Sequence, residues 1–562
     1  MDLGASSHVA EPLDHEVQPT PRFLPGPPAF SDIERSVIQL SRKDPPASIP
    51  DLQGFQYQAD GRDLGPRRPT SRPMRRRQAG PESGWRIRAD VMPRISSAIQ
   101  TEGDQSGLIA LAALSVCAGA ATGAIVATFK RSLEWIDRRR SEVIAQAHHW
   151  HFAGFLLVIM GCAAAVAVAA WLVRRFSTYA SGSGVPEVEA ALAGILPPAR
   201  LRHILLIKYV GGLLSIGSGM ATGPEGPGVQ MGAVSAHLIG ATFHRPPSDV
   251  QALVAAGAGA GIAVAFNAPI AGAIFVLEEL VRRFEMRVVV AGLGASSTAI
   301  LISRLLLGNG PDLHFAASGQ TVSAISPLPY AAAATWPLYL ALGVLAGIMA
   351  IFYNRSITGA LSVVAGIQKW PIEAKAASIG VLVGTIGWFG PELIGNGDNI
   401  SQRILANTPA AGGIMIMLVV RFCLGPISYA ARTPGGLFAP LLAVGALLGA
   451  LLGCLCQAAV PTLAIEPQAF AVVGMAAFFA AVVRSPVTGI AMVIEMTAAF
   501  ATLLPMLVAC FAAMVVTNLL HDPPIYVSLY QRFTAELECT GISNDRARRP
   551  GSAPNRNDSG HA

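Results

Sequence analysis

The stretch GAGAGIAVAFNAPIAGAIFVLE, residues 257–278, returns as GMAAFFAAVVRSPVTGIAMVIE at residues 474–495. Laid on one another, Pro269 meets Pro486, Gly272 meets Gly489 and Glu278 meets Glu495. A slightly different offset lays Gly223–Pro227 on Gly436–Pro440 and carries Gly232 and Ala233 onto Gly445 and Ala446. The core is therefore two homologous halves, spanning roughly residues 107–310 and 330–530. Where Gly and Pro interrupt apolar segments at matching places in two halves, discontinuous helices surround a central binding site, as in secondary transporters.

Composition extends this reading to the whole chain. Of 562 residues, 52% are hydrophobic and only 14% charged, against about 25% charged in soluble proteins, which argues against a soluble multidomain enzyme. Gly107–Phe129, Phe152–Val173, Gln251–Leu277, Thr433–Ile465 and Thr502–Leu520 carry no charge, and a bilayer crossing takes roughly 20 apolar residues. The expected fold class is an all-α polytopic membrane protein. Met1–Pro21 is polar and acidic, with no apolar core for a signal peptide, so insertion is expected from the internal spans.

The net charge of +6 is unevenly spread. Residues 1–106 hold 14 Arg or Lys and 14 Pro, with Arg62, Arg67, Arg68, Arg72, Arg75, Arg76 and Arg77 close together. Such a segment cannot bury a core; it reads as a disordered cytoplasmic tail that feels anionic headgroups, with no nucleic-acid partner expected. Residues 531–562 read as a short polar tail, also cytoplasmic. Against that orientation, Lys130, Arg131, Arg138, Arg139 and Arg140 follow the first uncharged run, and the positive-inside rule puts the loop they would form in the cytoplasm. The seven cysteines lack a metal or disulfide spacing and read as small hydrophobes; Cys454 and Cys456 have no charged or His neighbour to complete a metal site. His148, His149 and His151 flank Trp150 where the next span begins, which suits an interfacial cluster better than a metal site.

Three breaks read as helix starts. Gly182-Ser-Gly184-Val-Pro186-Glu187 puts Pro at a first helical position and Glu in a first turn; Gly223-Pro-Glu225-Gly226-Pro227 and Gly436-Leu437-Phe438-Ala-Pro440 each precede apolar runs. A helix N-terminus exposes unpaired N–H groups and about half a positive charge, so it favours an anion. Three such ends at membrane depth describe an anion site built without fixed cations, one that can release what it binds. Gly and Pro also serve plain packing in membrane helices, but Ser183 and Glu225 are costly in hydrocarbon unless they line a cavity. A carboxylate at such an end occupies the anion's place when deprotonated and yields it when protonated. Glu278, with its repeat mate Glu495, reads as a structural salt-bridge residue at a helix end. Glu279 has Met496 as its mate and stands as either a structural acid or a carrier of protons between water and the interior.

The motifs GSGVPE (182–187), GPEGP (223–227), NAPIAGAIFVLEE (267–279), GGLFAP (435–440), SPVTGIAMVIEMT (485–497) and PPIY (523–526) together resemble the CLC family of chloride channels and chloride/proton exchangers, over most of residues 107–530. The resemblance implies a homodimer in the bilayer, each subunit with its own anion pathway between two inverted halves of tilted, broken helices. By position it makes Ser183 and Tyr526 the side-chain hydroxyls of the central chloride site, with Leu437 and Phe438 giving backbone N–H groups. Glu225 resembles the gating glutamate and Glu279 the internal proton-transfer glutamate. Both being present resembles the exchanger branch, with a passive channel as the alternative. Lys208 either supplies positive potential to the site or snorkels to an interface. Pro224 stands where a basic residue is usual, which implies a weaker or differently shaped outer anion site. A C-terminus without nucleotide-binding modules resembles prokaryotic members, in the cytoplasmic membrane. Chloride and protons are the expected partners, with no metal or organic cofactor. A hydrolase using Ser183 would need a base, for which His203 and His237 are the nearby candidates.

Overall fold

The computed structural model describes residues 105–195, 201–308, 333–463 and 465–539. Among them the chain is helical, with only two isolated β-bridges and no strand. The first half holds α1 (Gln105–Ala147), α2 (His151–Phe176), α3 (Val185–Leu192), α4 (Leu201–Gly217), α5 (Glu225–Thr242), α6 (Pro247–Phe266), α7 (Pro269–Phe275) and α8 (Met286–Leu307). The second holds α9 (Trp336–Gly366), α10 (Ile372–Phe389), α11 (Asp398–Ala406), α12 (Ala411–Tyr429), α13 (Phe438–Ala459), α14 (Pro467–Val483), α15 (Pro486–Thr497), α16 (Leu503–Leu519) and α17 (Ile525–Cys539). Eight stretches are long and apolar enough to cross a membrane, whereas α3 and α7 are far too short.

Both halves use the same local chemistry. Pro269 and Pro486 open their helices in the first turn, where a missing N–H costs nothing. The preceding helices both stop on a left-handed residue, Asn267 at φ 51° and Arg484 at φ 73°. The aligned glycines pair within each half. A Cβ on Gly232 would lie 2.1 Å from the Gly257 carbonyl oxygen, and one on Gly445 would lie 2.5 Å from that of Gly474. Only glycine lets α5 meet α6, and α13 meet α14, this closely.

The inversion of the halves is visible at α7 and α15. Glu278, just past α7, accepts hydrogen bonds from the Val487 and Thr488 amides at the start of α15, at 3.1 and 2.7 Å, and from the Thr488 hydroxyl at 2.6 Å. Glu495, near the end of α15, accepts from the Ile270 and Ala271 amides at the start of α7, at 3.1 and 2.8 Å. Each helix ends beside the other's beginning, so the equivalent helices run antiparallel and the repeats are inverted. Glu278 is thus a structural residue like its mate, but its partner is a helix N-terminus; the expected salt bridge is corrected.

Two boundaries also change. Helix α1 continues without a break through Lys130–Arg140 to Ala147, so these basic residues lie on a helix and not in a loop after a short span. Arg140 pairs with Asp137 and Arg139 with Glu142, which removes part of the positive charge that the topology rule counted. At the other end, α17 runs to Cys539, past the boundary set at residue 530. The Arg62–Arg77 cluster and residues 540–562 lie outside the described residues.

Candidate anion site

Backbone pairing brings the three predicted helix starts together. The Gly182 amide donates to the Thr433 carbonyl at 3.2 Å and the Gly435 amide to the Gly182 carbonyl at 3.1 Å. Gly223 and Gly436 exchange both bonds, at 3.0 and 2.8 Å. The loops before α3, α5 and α13 are therefore stitched side by side, leaving first-turn amides of α13 aimed into the space between them. Pro186, Pro227 and Pro440 all lie in first turns.

Glu225 fills that space. It is 1% exposed; its Oε1 accepts the Ala439 amide of α13 at 3.2 Å, with the Phe438 amide also contributing, while its Oε2 is buried without a partner. Missing Cβ atoms make the room: one on Gly223 would lie 2.0 Å from Oε2, and one on Gly436 2.4 Å from Oε1. Gly226 fits as tightly, its Cβ position 2.6 Å from the Ser183 carbonyl oxygen. Gly184, at φ 88°, starts α3 against Gln230.

The hydroxyl cluster lies alongside. Ser183 is fully buried; its Oγ accepts the Val185 amide at 3.4 Å, and its own amide donates to the Tyr429 hydroxyl at 3.4 Å. Tyr526, the second residue of α17, reaches Ser183 with its hydroxyl and meets the Phe438 ring edge-on at 5.7 Å. Leu437 and Phe438 are buried at the start of α13. Tyr429 at the end of α12 is the site residue that sequence reasoning missed; its regular place just before the third break was the signal available. The groups around the Ser183 hydroxyl are thus tyrosines and backbone, not His203 or His237.

Positive charge is held one layer back. Lys208 is fully buried and its Nζ donates to the carbonyls of Ala180, Ser181 and Gly182 at 3.3, 3.3 and 2.8 Å. It does not snorkel: it anchors the loop that carries Ser183. Arg421, 1% exposed, does the same for another loop, donating to Gly395 at 2.6 Å and Asn396 at 2.9 Å. An anion in the site would meet dipoles directly and these cations only through the backbone they hold.

Two cavities approach the site. One of about 330 Å³ is lined by Gly182, Pro186, Glu187, Tyr429, Arg432 and Arg532 among others, and Glu536 pairs with Arg432 across it. The other, about 210 Å³, has Pro224 in its wall with Lys130, Asp137, Arg140 and Asp398. Glu279 is 4% exposed, with Ser485 donating to its Oε2 at 2.9 Å and Arg282 to its Oε1 at 3.3 Å. The His148 ring stacks on Trp388 at 4.0 Å and bonds backbone carbonyls. No metal-binding group of three His, Cys, Asp or Glu occurs among the described residues.

Inverted repeats and helices too short to span, with helix starts converging on a buried carboxylate and hydroxyls, define a multi-pass membrane protein with a candidate anion site between those helix starts. The model of the voltage gated chloride channel family matches residues 164–518, and the chain belongs to that family. Similar proteins include the H(+)/Cl(-) exchange transporter ClcA of Cronobacter sakazakii, 33% identical over 433 residues covering 76% of this chain and 90% of the relative. The ClcA of Klebsiella pneumoniae (strain 342) is 32% identical over 437 residues, covering 76% of this chain and 90% of its own length. Among solved structures, a slow cyanobacterial Cl-/H+ antiporter superposes with a TM-score of 0.71 at 30% identity, covering 76% of this chain and 99% of that one.

Proposed function

We propose that the protein exchanges chloride for protons across the cytoplasmic membrane, as a homodimer whose subunits each carry a complete pathway. The observation that carries this reading is the Glu225 carboxylate seated on the α13 N-terminal amides beside Ser183 and Tyr526. A deprotonated Glu225 is itself the anion in that site. Protonation removes its attraction for the amides, the side chain leaves, and chloride takes its place, held by the Ser183 and Tyr526 hydroxyls and the Leu437 and Phe438 amides. Chloride and the charged carboxylate cannot occupy one place together, and that exclusion couples the two ions.

Glu279 brings protons from the opposite side of the site, and its near-complete burial keeps chloride away from it. The relatives named H(+)/Cl(-) exchange transporter support chloride/proton exchange as the activity. Ion exchange of this kind needs no metal, nucleotide or covalent step, and no enzymatic activity is assigned. Pro224 leaves the outer cavity without the N–H and charge of a basic residue, so its anion site is weak.

The test is proton movement into proteoliposomes under a chloride gradient with the voltage controlled. Wild type should drive protons uphill, and Glu225→Ala and Glu279→Ala should each lose proton movement while chloride still flows. Chloride flow without protons in wild type makes the protein a channel; no anion flow at all defeats the reading.

A further inference from the structure

Arg282 takes no part in the anion site, yet it makes two hydrogen bonds to the proposed proton residue and a third to Glu189. It follows the π-turn Val276–Leu280 with a left-handed backbone, φ 55°, which a non-glycine residue adopts only against a steric cost. Its Nε donates to the Glu279 carbonyl at 3.0 Å, and its Nη2 donates to Glu279 Oε1 at 3.3 Å and to Glu189 Oε1 at 3.2 Å. The Arg282 side chain is 45% exposed, while those of Glu279 and Glu189 are 5% and 12% exposed. It therefore stands between water and two buried carboxylates.

Glu189 gives the contact its meaning. It belongs to α3, whose first turn follows Ser183, so the guanidinium joins the acid of the proposed proton route to the helix that starts at the anion site. The charged and titratable groups facing Glu279 are Arg282 and Glu278 on its own segment, Glu189 on α3 and Tyr526 on α17. Arg282 favours the charged form of Glu279, while Glu278, held at the α15 start, and Glu189 oppose it.

We infer that Arg282 is a positioning residue for proton transfer: it clamps Glu279 to Glu189 at the water-facing mouth and sets the pH range over which Glu279 takes up protons. This rests on the reading of Glu279 as the proton-transfer residue. A proton reaching Glu279 weakens the pair with Arg282, the guanidinium swings toward water, and the carboxyl is released to pass the proton inward. No bond other than that to the proton is made or broken.

The experiment measures proton-coupled chloride transport in proteoliposomes against pH on the Glu279 side, for wild type, R282Q, R282K, E189Q and E279Q. Loss of the guanidinium should move the half-maximal pH upward by about one unit, at the low end of the effect of an adjacent arginine because this one is half exposed. R282K should restore most of the wild-type profile. E189Q should move it downward, because one opposing negative charge is gone and Arg282 serves Glu279 alone. A merely structural role predicts no opposed shifts. If E279Q keeps proton coupling, the reading of Glu279 has failed. If E279Q loses coupling while R282Q keeps the wild-type profile, or R282Q and E189Q shift the same way, the inference about Arg282 is overturned. Should R282Q fail to fold, E189Q carries the test: a downward shift is expected, and an unmoved or upward-shifted profile overturns the inference.

Discussion

Replacing Glu278 by alanine removes three hydrogen bonds at the start of α15, two from backbone amides and one from Thr488. Losing an N-terminal cap costs about 0.5–2 kcal/mol, and losing a charge favourably placed on the helix dipole costs roughly 0.3–1 kcal/mol more at a partly exposed position. The expected destabilisation is about 2 kcal/mol, and Glu278→Gln, which keeps an acceptor without the charge, should cost roughly half of that. The inverted pair provides an internal control. Glu495→Ala removes two amide bonds from the start of α7 and should cost slightly less. The two caps lie about 12 Å apart along α15, so the double variant should be close to additive. Denaturation of the purified protein in detergent, followed by tryptophan fluorescence, measures the differences, and proton-to-chloride stoichiometry is measured on the same samples. Glu278→Ala with full stability and lost proton coupling would refute the argument, because the carboxylate would then belong to the proton route and not to the helix.

Gly436→Ala puts a methyl group 2.4 Å from Glu225 Oε1 and 2.6 Å from the Gly226 nitrogen; overpacking of about 1–3 kcal/mol should leave a folded protein with proton coupling lost, read by proton flux and size-exclusion profile together. Lys208→Met leaves three carbonyls without their donor and should cost about 3 kcal/mol, with chloride affinity by titration calorimetry falling at least roughly tenfold as the Ser183 loop loosens. Glu536→Gln removes the carboxylate that balances Arg432 and Arg532 at the larger cavity, so half-saturating chloride on that side should fall about two- to threefold at low salt and converge with wild type as ionic strength rises.

The parts of this architecture that were legible in the sequence are those in which the backbone itself needs a special residue. Gly182, Gly223 and Gly436 stand where loops approach a carboxylate or a neighbouring strand of backbone, and Pro186, Pro227 and Pro440 stand where a first turn lacks acceptors for its amides. Their spacing therefore marked the helix starts and, through the repeat, their convergence. What stayed hidden were the partners. Lys208 and Arg421 bind backbone carbonyls, which every residue carries, so nothing in the chain marks residues 180–182 or 393–396 as their destination. Glu278, matched with Glu495 in the repeat, reads as a salt-bridge residue at a helix end with Arg282 and Arg283 a turn further on, yet its oxygens serve amides more than two hundred residues away. Local charge suggested a local partner, and inversion supplied a distant one.

The same distinction explains why the proposed anion site could be read at all. A site made of fixed cations would leave an Arg or Lys among the motifs, as ordinary surface charges do, and would hold a halide against release. Here the two buried cations were moved behind the loops, where each turns its charge into the rigidity of a peptide segment through two or three short hydrogen bonds. On the proposed reading the anion then faces amides and hydroxyls whose positions are fixed in advance, and the Glu225 carboxylate competes with it for the same place. Binding strong enough to select and weak enough to release follows from that substitution of dipoles for charges.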